Sequence, residues 1–500
     1  MCSGPPWWTR PRLGGATTFD ILFIMKHILS MLLVASVFLS QIRPVNAIVD
    51  PLSTPNNKFG VHIVDENDLD DAAKLVNSSG GEWGYVTIVI REDERDAGRW
   101  QKVFDRMREL KLIPVVRLAT RGTADGWEVP TEQDAEEWAH FLNKLNWVVK
   151  NRYIILFNEP NHAHEWEGTI DPAGYTKIAR HFRNTLKQTS EDFFILPAGF
   201  DQAAGNTDDS LSVEIYYRMM YESDPDIFTL FDGWTSHSYP NPHFSGSITA
   251  SGRQSIQGYV WELQYLAAYG LPQNIPVFIT ETGWAHREGT TENTSYKPAE
   301  EVAQLFQIAY TDVWDDPQIV MVSPFLLNYQ AEPFDNFSWK KPGSTEFYPQ
   351  FSKVISLGKQ SGLPIQVDVA SVQMVHVITS LVTDSQFFVP IRVHNTGQTI
   401  WHSADTSLIV YDEAHKPIGT LPIPTLKPFQ TAIIKLPITT PSQAGSVLFS
   451  VAVQRNNTTV GDPVSFTISV HEPDHSENTI VNFIREIVLK EIVEVVRAAN

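Results

Sequence analysis

Two glutamates place carboxylates at the ends of short apolar runs. Glu159 lies in Leu-Phe-Asn-Glu-Pro-Asn and Glu281 lies in Phe-Ile-Thr-Glu-Thr-Gly-Trp. The runs that precede them, Tyr153–Phe157 and Val277–Ile279, are typical of buried parallel strands. A carboxylate is costly in such surroundings unless the site uses it. The two glutamates are therefore candidates for the carboxylate pair with which an enzyme cleaves a glycosidic bond. The alternative is that each glutamate only anchors a loop by hydrogen bonding.

The elements that must position these glutamates alternate regularly along the chain. Stretches with helical spacing separate the apolar runs, and Thr131–Asp134 has the composition of a helix-starting capping box. Eight alternations predict a (β/α)8 barrel over residues 58–362, with an open doubly wound sheet as the alternative. The predicted strands are Phe59–Val64, Tyr85–Ile90, Ile113–Leu118, Tyr153–Phe157, Phe193–Leu196, Gly233–Ser236, Val277–Thr280 and Ile319–Leu327.

The pattern changes after Gly362. Short β-branched runs between turn residues predict a β-sandwich over residues 365–471. Its Asn395–Trp401 segment resembles one found in immunoglobulin-like modules of extracellular proteins. Residues 475–500 have the apolar stripe of an amphipathic helix, which we expect to dock on the sandwich or barrel. The alternative is a membrane-surface or self-association helix.

The N-terminal segment has the features of a targeting signal. A basic start at Met25, the apolar stretch Ile28–Leu39 and a small-residue site ending at Ala47 predict a signal peptide over residues 25–47. Residues 1–24 are then interpreted as a misassigned leader. A retained membrane anchor is the alternative, but the apolar stretch is short for a span. We therefore expect a secreted or cell-surface protein.

Composition narrows the classes of partner. The formal net charge of −20 disfavours nucleic acid and anionic membranes, and neutral substrates fit best. Cys2, in the leader, is the only cysteine, and the sequence contains neither a phosphate-binding glycine loop nor a paired-histidine metal motif. We expect a monomer that needs no metal and no cofactor.

The motifs around the two glutamates resemble those of the retaining glycoside hydrolases of clan A, which include the cellulase-like family five and family thirty-nine. The resemblance covers residues 58–360. It implies that Glu159 is the general acid/base, that Glu281 is the nucleophile and that Asn158 contacts the sugar hydroxyl next to the reacting carbon. His237-Ser238-Tyr239 matches the His-x-Tyr pattern of the sixth strand. That match implies that Tyr239 donates a hydrogen bond to Glu281 and that His237 lines the sugar subsite.

Other strand-end residues are further candidates for substrate binding. The clan keeps an arginine near the nucleophile, and Arg91 is the better candidate, with Arg117 as the partner of an acidic residue inside the barrel. His62 on the first strand contacts either the ligand or the core. Sugar rings stack on aromatic side chains, which is the role expected of four residues that follow strand ends. They are Trp166, Trp284, Tyr329 and Trp339, of which Trp339 is the least core-like.

Together these observations predict a secreted retaining β-glycoside hydrolase that acts on a carbohydrate substrate. The carboxyl groups of Glu159 and Glu281 should then lie about 5–5.5 Å apart. The rival hypothesis is a catalytically silent carbohydrate-binding or cell-envelope protein on the same barrel. The β-sandwich is expected to be dispensable for chemistry and to associate with a cell wall or polysaccharide.

Overall fold

The computed structural model describes residues 48–376 and 378–473. The segments 1–24, 25–47 and 475–500, with the leader, signal peptide and amphipathic helix predicted there, lie outside the described residues. No helix within the described part of the chain is long and apolar enough to cross a membrane.

Strands and helices alternate through the first three hundred described residues. The strands are β1 (Gly60–Ile63), β2 (Gly84–Arg91), β3 (Leu112–Ala119), β4 (Arg152–Ile155), β5 (Phe193–Leu196), β6 (Trp234–His237), β7 (Val277–Thr282) and β8 (Ile319–Pro324). The α-helices, each following the strand of the same number, are α1 (Leu69–Val76), α2 (Ala97–Glu109), α3 (Glu132–Lys144), α4 (Pro172–Thr189), α5 (Val213–Ser223), α6 (Gly258–Leu266), α7 (Ala299–Ile308) and α8 (Pro349–Ser356). Each predicted strand thus has a counterpart in this α/β region.

Within each sheet of the α/β region, every strand lies beside its sequence neighbour and runs parallel to it. Strands β1 to β5 form one sheet and β6 to β8 another. A parallel bridge between Asp201 and His237 connects the two sheets on one side, and a second bridge between Phe59 and Val322 connects β1 to β8 on the other. Because all eight strands run the same way, their carboxyl ends lie at one edge.

Local sequence explains the element boundaries. The side chain of Thr131 accepts from the Asp134 amide while Asp134 accepts from the Thr131 amide, which confirms the capping box at the start of α3. Strand β4 ends at Ile155, two residues earlier than predicted. Phe157 has a φ of 72°, which is incompatible with a strand.

The C-terminal β region consists of two sheets around a shared apolar cluster that includes Trp401. One sheet has the order β10-β16-β15-β12-β13 and the other β14-β11-β9. Neighbouring strands are antiparallel except β10 and β16. The strands are β9 (Ala370–Met374), β10 (Ser380–Val382), β11 (Gln386–Asn395), β12 (Thr406–Tyr411), β13 (Pro417–Pro422), β14 (Thr431–Thr439), β15 (Gly445–Arg455) and β16 (Thr458–His471).

Hydrogen bonds join the two regions where the chain enters β4. The side-chain Nε2 of Gln398 donates to the Val149 carbonyl at 2.9 Å, and the side-chain Nδ2 of Asn146 donates to the Gly397 carbonyl at 2.9 Å. The Lys150 amide donates to the Ile365 carbonyl at 2.8 Å. These contacts precede β4, so the β region adjoins the amino ends of the parallel strands, away from the edge where the two glutamates lie.

Candidate functional site

Strands β4 and β7 bring Glu159 and Glu281 together. Glu281 is the fifth residue of β7, whereas Glu159 lies four residues beyond the end of β4. One carboxylate oxygen of each glutamate lies within 4.8 Å of the other. The side chain of Glu281 is 10 % exposed and that of Glu159 is 22 % exposed. The two carboxylates are therefore close neighbours in unequal surroundings.

The backbone that carries Glu159 is strained. Phe157 and Glu159 have φ angles of 72° and 27°, which non-glycine residues rarely adopt. The Glu159 amide donates to the Gly199 carbonyl at 3.0 Å, and the His162 amide donates to the Glu159 carbonyl at 2.9 Å. These bonds hold the acid in a conformation that the isolated chain disfavours, as is common at functional sites.

His237 lies between the two glutamates. In the register of β6 and β7 it is opposite Glu281, and its Nδ1 is 2.7 Å from Glu159 Oε1 and 3.9 Å from Glu281 Oε2. A β-carbon on Gly199 would approach the His237 ring to 2.2 Å, so only glycine fits beside the ring. Burial opposes protonation of His237, but the Glu281 charge and the bond to Glu159 outweigh burial and raise its pKa.

Glu281 is held by groups that favour its ionised form. Arg117 Nη1 donates to Glu281 Oε1 at 2.6 Å, and the Tyr239 hydroxyl donates to Oε2 at 3.1 Å, as the resemblance implies. Burial alone would raise the pKa of Glu281, but the charges of His237 and Arg117 lower it to about 2. Burial and the Glu281 charge raise the pKa of Tyr239 well above its usual value, so the hydroxyl keeps its proton.

His62 faces Glu281 from β1. Its Nδ1 is 3.9 Å from Glu281 Oε1, and its ring lies beside Phe325. Burial, followed by the Arg117 charge, lowers the pKa of His62 to about 3, so the ring is neutral. Among the described residues, neither ring nitrogen of His62 has a hydrogen-bond partner. The residue thus belongs to the site and not only to the core.

Asn158 is fixed from both ends by charged side chains. Arg117 Nη1 donates to its Oδ1 at 2.7 Å, and its Nδ2 donates to Glu165 Oε1 at 3.2 Å. Burial and the charge of Glu159 raise the pKa of Glu165 to about 7. Glu165 carries no strand-end signal in the sequence, because it lies in a short helical turn, Ala163–Trp166. Its distance of six residues from Glu159 was the one available signal.

The structure corrects the expectation for Arg91. Its guanidinium donates to Asp93 at 3.0 and 3.1 Å, and its side chain is 44 % exposed. The cation beside Glu281 is Arg117 instead. Strand register explains the difference, because Arg117 is opposite Val89 whereas Arg91 is opposite Ala119, two residues nearer the carboxyl end.

The aromatic expectations also need correction. Trp284 and Trp339 are 2 % and 1 % exposed and pack against Phe306 of α7, so neither presents a face to a sugar. Trp166 is buried as well, whereas Tyr329 is half-buried. Trp166 and Trp127 both line a pocket beside Arg117 and Asn158, but only Trp127, which has no strand-end signal in the sequence, is half-buried there.

Three ligand atoms in the site could approach one cation. Glu159, His237 and Glu281 each supply one atom, and the three atoms lie within 4.8 Å of one another. However, Arg117 already occupies Glu281 Oε1, and its positive charge opposes a second cation there. The arrangement suits proton transfer and nucleophilic attack better than metal binding.

No protein-family model matches the sequence, and no curated protein matches it. Solved structures similar to the chain include an FMN-binding beta-glucuronidase from Facaelibacterium prausnitzii L2-6, with 11 % identity, a TM-score of 0.39 and coverage of 85 % of this chain. The chain spans 57 % of that glucuronidase. A GH5_18 protein from Bifidobacterium longum subsp. infantis is 11 % identical over 66 % of this chain and 84 % of that one, with a TM-score of 0.42. The CARDB domain of PF1109 from Pyrococcus furiosus is 19 % identical, covers 21 % of this chain and 97 % of the domain, and has a TM-score of 0.19.

Proposed function

We propose that this protein is a secreted retaining β-glycoside hydrolase of the clan A type, built on a (β/α)8 barrel with an appended immunoglobulin-like β-sandwich. Eight parallel strands, each followed by a helix, together with the bridges at both sheet edges, support the barrel. The two glutamates lie at the carboxyl ends of the strands, where the sites of such barrels are found.

The observation that carries the proposal is the closeness of two carboxylates in opposed roles. Their nearest oxygens are within 4.8 Å of each other. Retaining enzymes hold their carboxyl groups about 5–5.5 Å apart, whereas inverting enzymes need about 6.5–9.5 Å to admit a water. Glu281 is ionised at neutral pH by its neighbours, which suits a nucleophile. Glu159 is more exposed and suits exchange of protons with the leaving group and water.

The reaction has two steps. Glu281 attacks the anomeric carbon while the bond to the leaving oxygen breaks and that oxygen takes a proton from Glu159. Water then gives a proton to Glu159 and attacks the same carbon, which breaks the ester bond to Glu281. Arg117 and Tyr239 hold the nucleophile throughout, and Asn158 is positioned to bond the neighbouring sugar hydroxyl.

Stereochemistry tests the proposal. A panel of aryl β-glycosides identifies a substrate, and proton NMR of the first-formed sugar should show the substrate's anomeric configuration. Glu281→Gln should remain folded and lose nearly all turnover, whereas Glu159→Ala should spare substrates with activated leaving groups in the first step. An inverted product would exclude Glu281 as nucleophile. Absence of turnover on the whole panel and on polysaccharides would favour the catalytically silent carbohydrate-binding protein.

A further inference from the structure

A pocket open to solvent lies beside Arg117 and Asn158, and most of its lining takes no part in the reaction proposed above. Its lining includes Arg117 and Asn158 of the catalytic site, together with Trp127, Glu128 and Glu165. Trp127 and Glu165 are both half-buried, and both line the pocket. An aromatic face beside a hydrogen-bonding carboxylate is a combination suited to a sugar ring, which has apolar C–H faces and polar edges.

The backbone fixes these two side chains relative to each other. The Trp127 amide donates to the His164 carbonyl at 2.8 Å, and the Glu167 amide donates to the Trp127 carbonyl at 2.8 Å. Gly126 makes this approach feasible, because a β-carbon there would lie 2.0 Å from the His164 carbonyl oxygen, and its φ is 133°. The loop with Trp127 is thus attached to the helical turn with Glu165, and the pocket exists before any ligand arrives.

The pocket's charges select among sugars. Glu165 accepts from Asn158, and Glu128 is exposed at the pocket edge. Arg117 is the only cation among the described residues that line the pocket, and it is already paired with Glu281 at 2.6 Å. The carboxylate of a uronate would therefore be repelled by Glu128 and by the ionised form of Glu165, and Arg117 is not free to receive it. A neutral sugar can instead donate a hydroxyl proton to Glu165.

Resting on the function proposed above, we propose that Trp127 and Glu165 form a second sugar subsite that binds a neutral ring next to the one being cleaved. The ring stacks on Trp127, and one of its hydroxyls donates to Glu165. Uronates are excluded from this subsite. Glu165 also positions Asn158, so the subsite and the reacting centre share one hydrogen-bonded chain from Arg117 through Asn158 to Glu165.

Binding measurements test the subsite without relying on turnover. Calorimetry on the full chain with Glu281→Gln measures affinity for cellotriose, β-1,4-mannotriose and xylotriose, and for cellotriose oxidised to its triuronate. At least one neutral trisaccharide should bind, and more tightly than the triuronate. Adding Trp127→Ala should weaken that binding about tenfold or more, as expected for loss of a buried aromatic anchor. Adding Glu165→Gln should weaken it about fivefold through loss of a charge-assisted hydrogen bond.

Two matched variants provide controls. Trp261→Ala removes another half-buried tryptophan, from α6, and Glu167→Gln neutralises an exposed glutamate just after the same helical turn. Thermal unfolding shows which variants remain folded. Equal effects of the pocket and control variants on binding would overturn the subsite alone, provided that the unaltered protein hydrolyses aryl glycosides. Tighter binding of the triuronate would overturn the assignment to neutral sugars. If no probe binds and none is hydrolysed, the subsite and the hydrolase are both refuted.

Discussion

Replacing Arg117 with methionine tests the electrostatics of Glu281, the nucleophile of the proposed mechanism. Arg117 Nη1 lies 2.6 Å from Glu281 Oε1, and the two side chains are only 16 % and 10 % exposed. Two unit charges about 4 Å apart interact by about 4 kcal/mol at an effective dielectric constant near 20. That energy corresponds to about 3 pKa units. Because His237 and Tyr239 remain beside Glu281, we expect a rise of about 1–3 units in its pKa.

The assay is the pH dependence of kcat/KM on an aryl glycoside. Glu281 must be ionised to attack, so its pKa sets the acid limb of the profile. The pKa of Glu281 is about 2 in the unaltered protein, which places the limb at the edge of the measurable range. In Arg117→Met the limb should move up to roughly pH 3–5. The maximal kcat/KM should fall about thirtyfold or more, since a buried charge loses its partner.

Arg91→Met is the matched control. Arg91 ends the neighbouring strand but bonds Asp93 in an exposed position, so its removal should leave the acid limb in place. An unmoved limb in Arg117→Met, or an equal movement in Arg91→Met, would refute the account of how Glu281 is kept ionised.

Three further outcomes are expected. Tyr239→Phe should lower kcat/KM about tenfold, since one hydrogen bond to Glu281 at 3.1 Å is lost, and an unchanged value would remove Tyr239 from the mechanism. The pKa of His62 is about 3 in the folded protein, against an ordinary value of 6.5. Between pH 6.5 and pH 3 only the unfolded chain protonates this histidine, so the stability of the fold should decrease as the pH falls through that range. Urea unfolding of His62→Gln should show a smaller loss of unfolding free energy between pH 7 and pH 4.5 than the unaltered protein shows. An equal loss in the two proteins would contradict this explanation. A fragment of residues 48–362 should keep its turnover on small substrates. It should unfold at a lower temperature than the full chain, because Val149 and Lys150 lose their hydrogen bonds to Gln398 and Ile365. A folded but inactive fragment would show that the β region completes the site.

The order of elements could be predicted from the sequence because it depends on local patterns. Each strand of the α/β region is a short apolar run, and the capping box at Thr131 is contained within four residues. The two glutamates could be selected for the same reason, since each follows such a run. Their closeness was inferred from the parallel arrangement, in which the ends of strands far apart in sequence meet at one edge.

Local sequence patterns could not predict how far along its strand a side chain lies, or which loop side chains are buried. Arg91 and Arg117 both occur near strand ends, and only the register of β2 and β3 places Arg117 two residues deeper, about 6.6 Å along the strand. Trp339 lies in a polar segment, yet its amide bonds the Leu326 and Leu327 carbonyls and draws its ring onto the core. Trp127 is placed beside Glu165 by hydrogen bonds to residues almost forty positions away.

The positive φ angles on both sides of Asn158 have a consequence for directed evolution. Each such residue costs about 1–3 kcal/mol of folding free energy. Glycine at position 159 would recover part of that energy, and it would remove the carboxylate at the same time. A library screened for heat resistance alone would therefore enrich inactive sequences at this position. Selection for higher thermal stability has to measure turnover in the same round, or it will discard the residue on which the proposed chemistry depends.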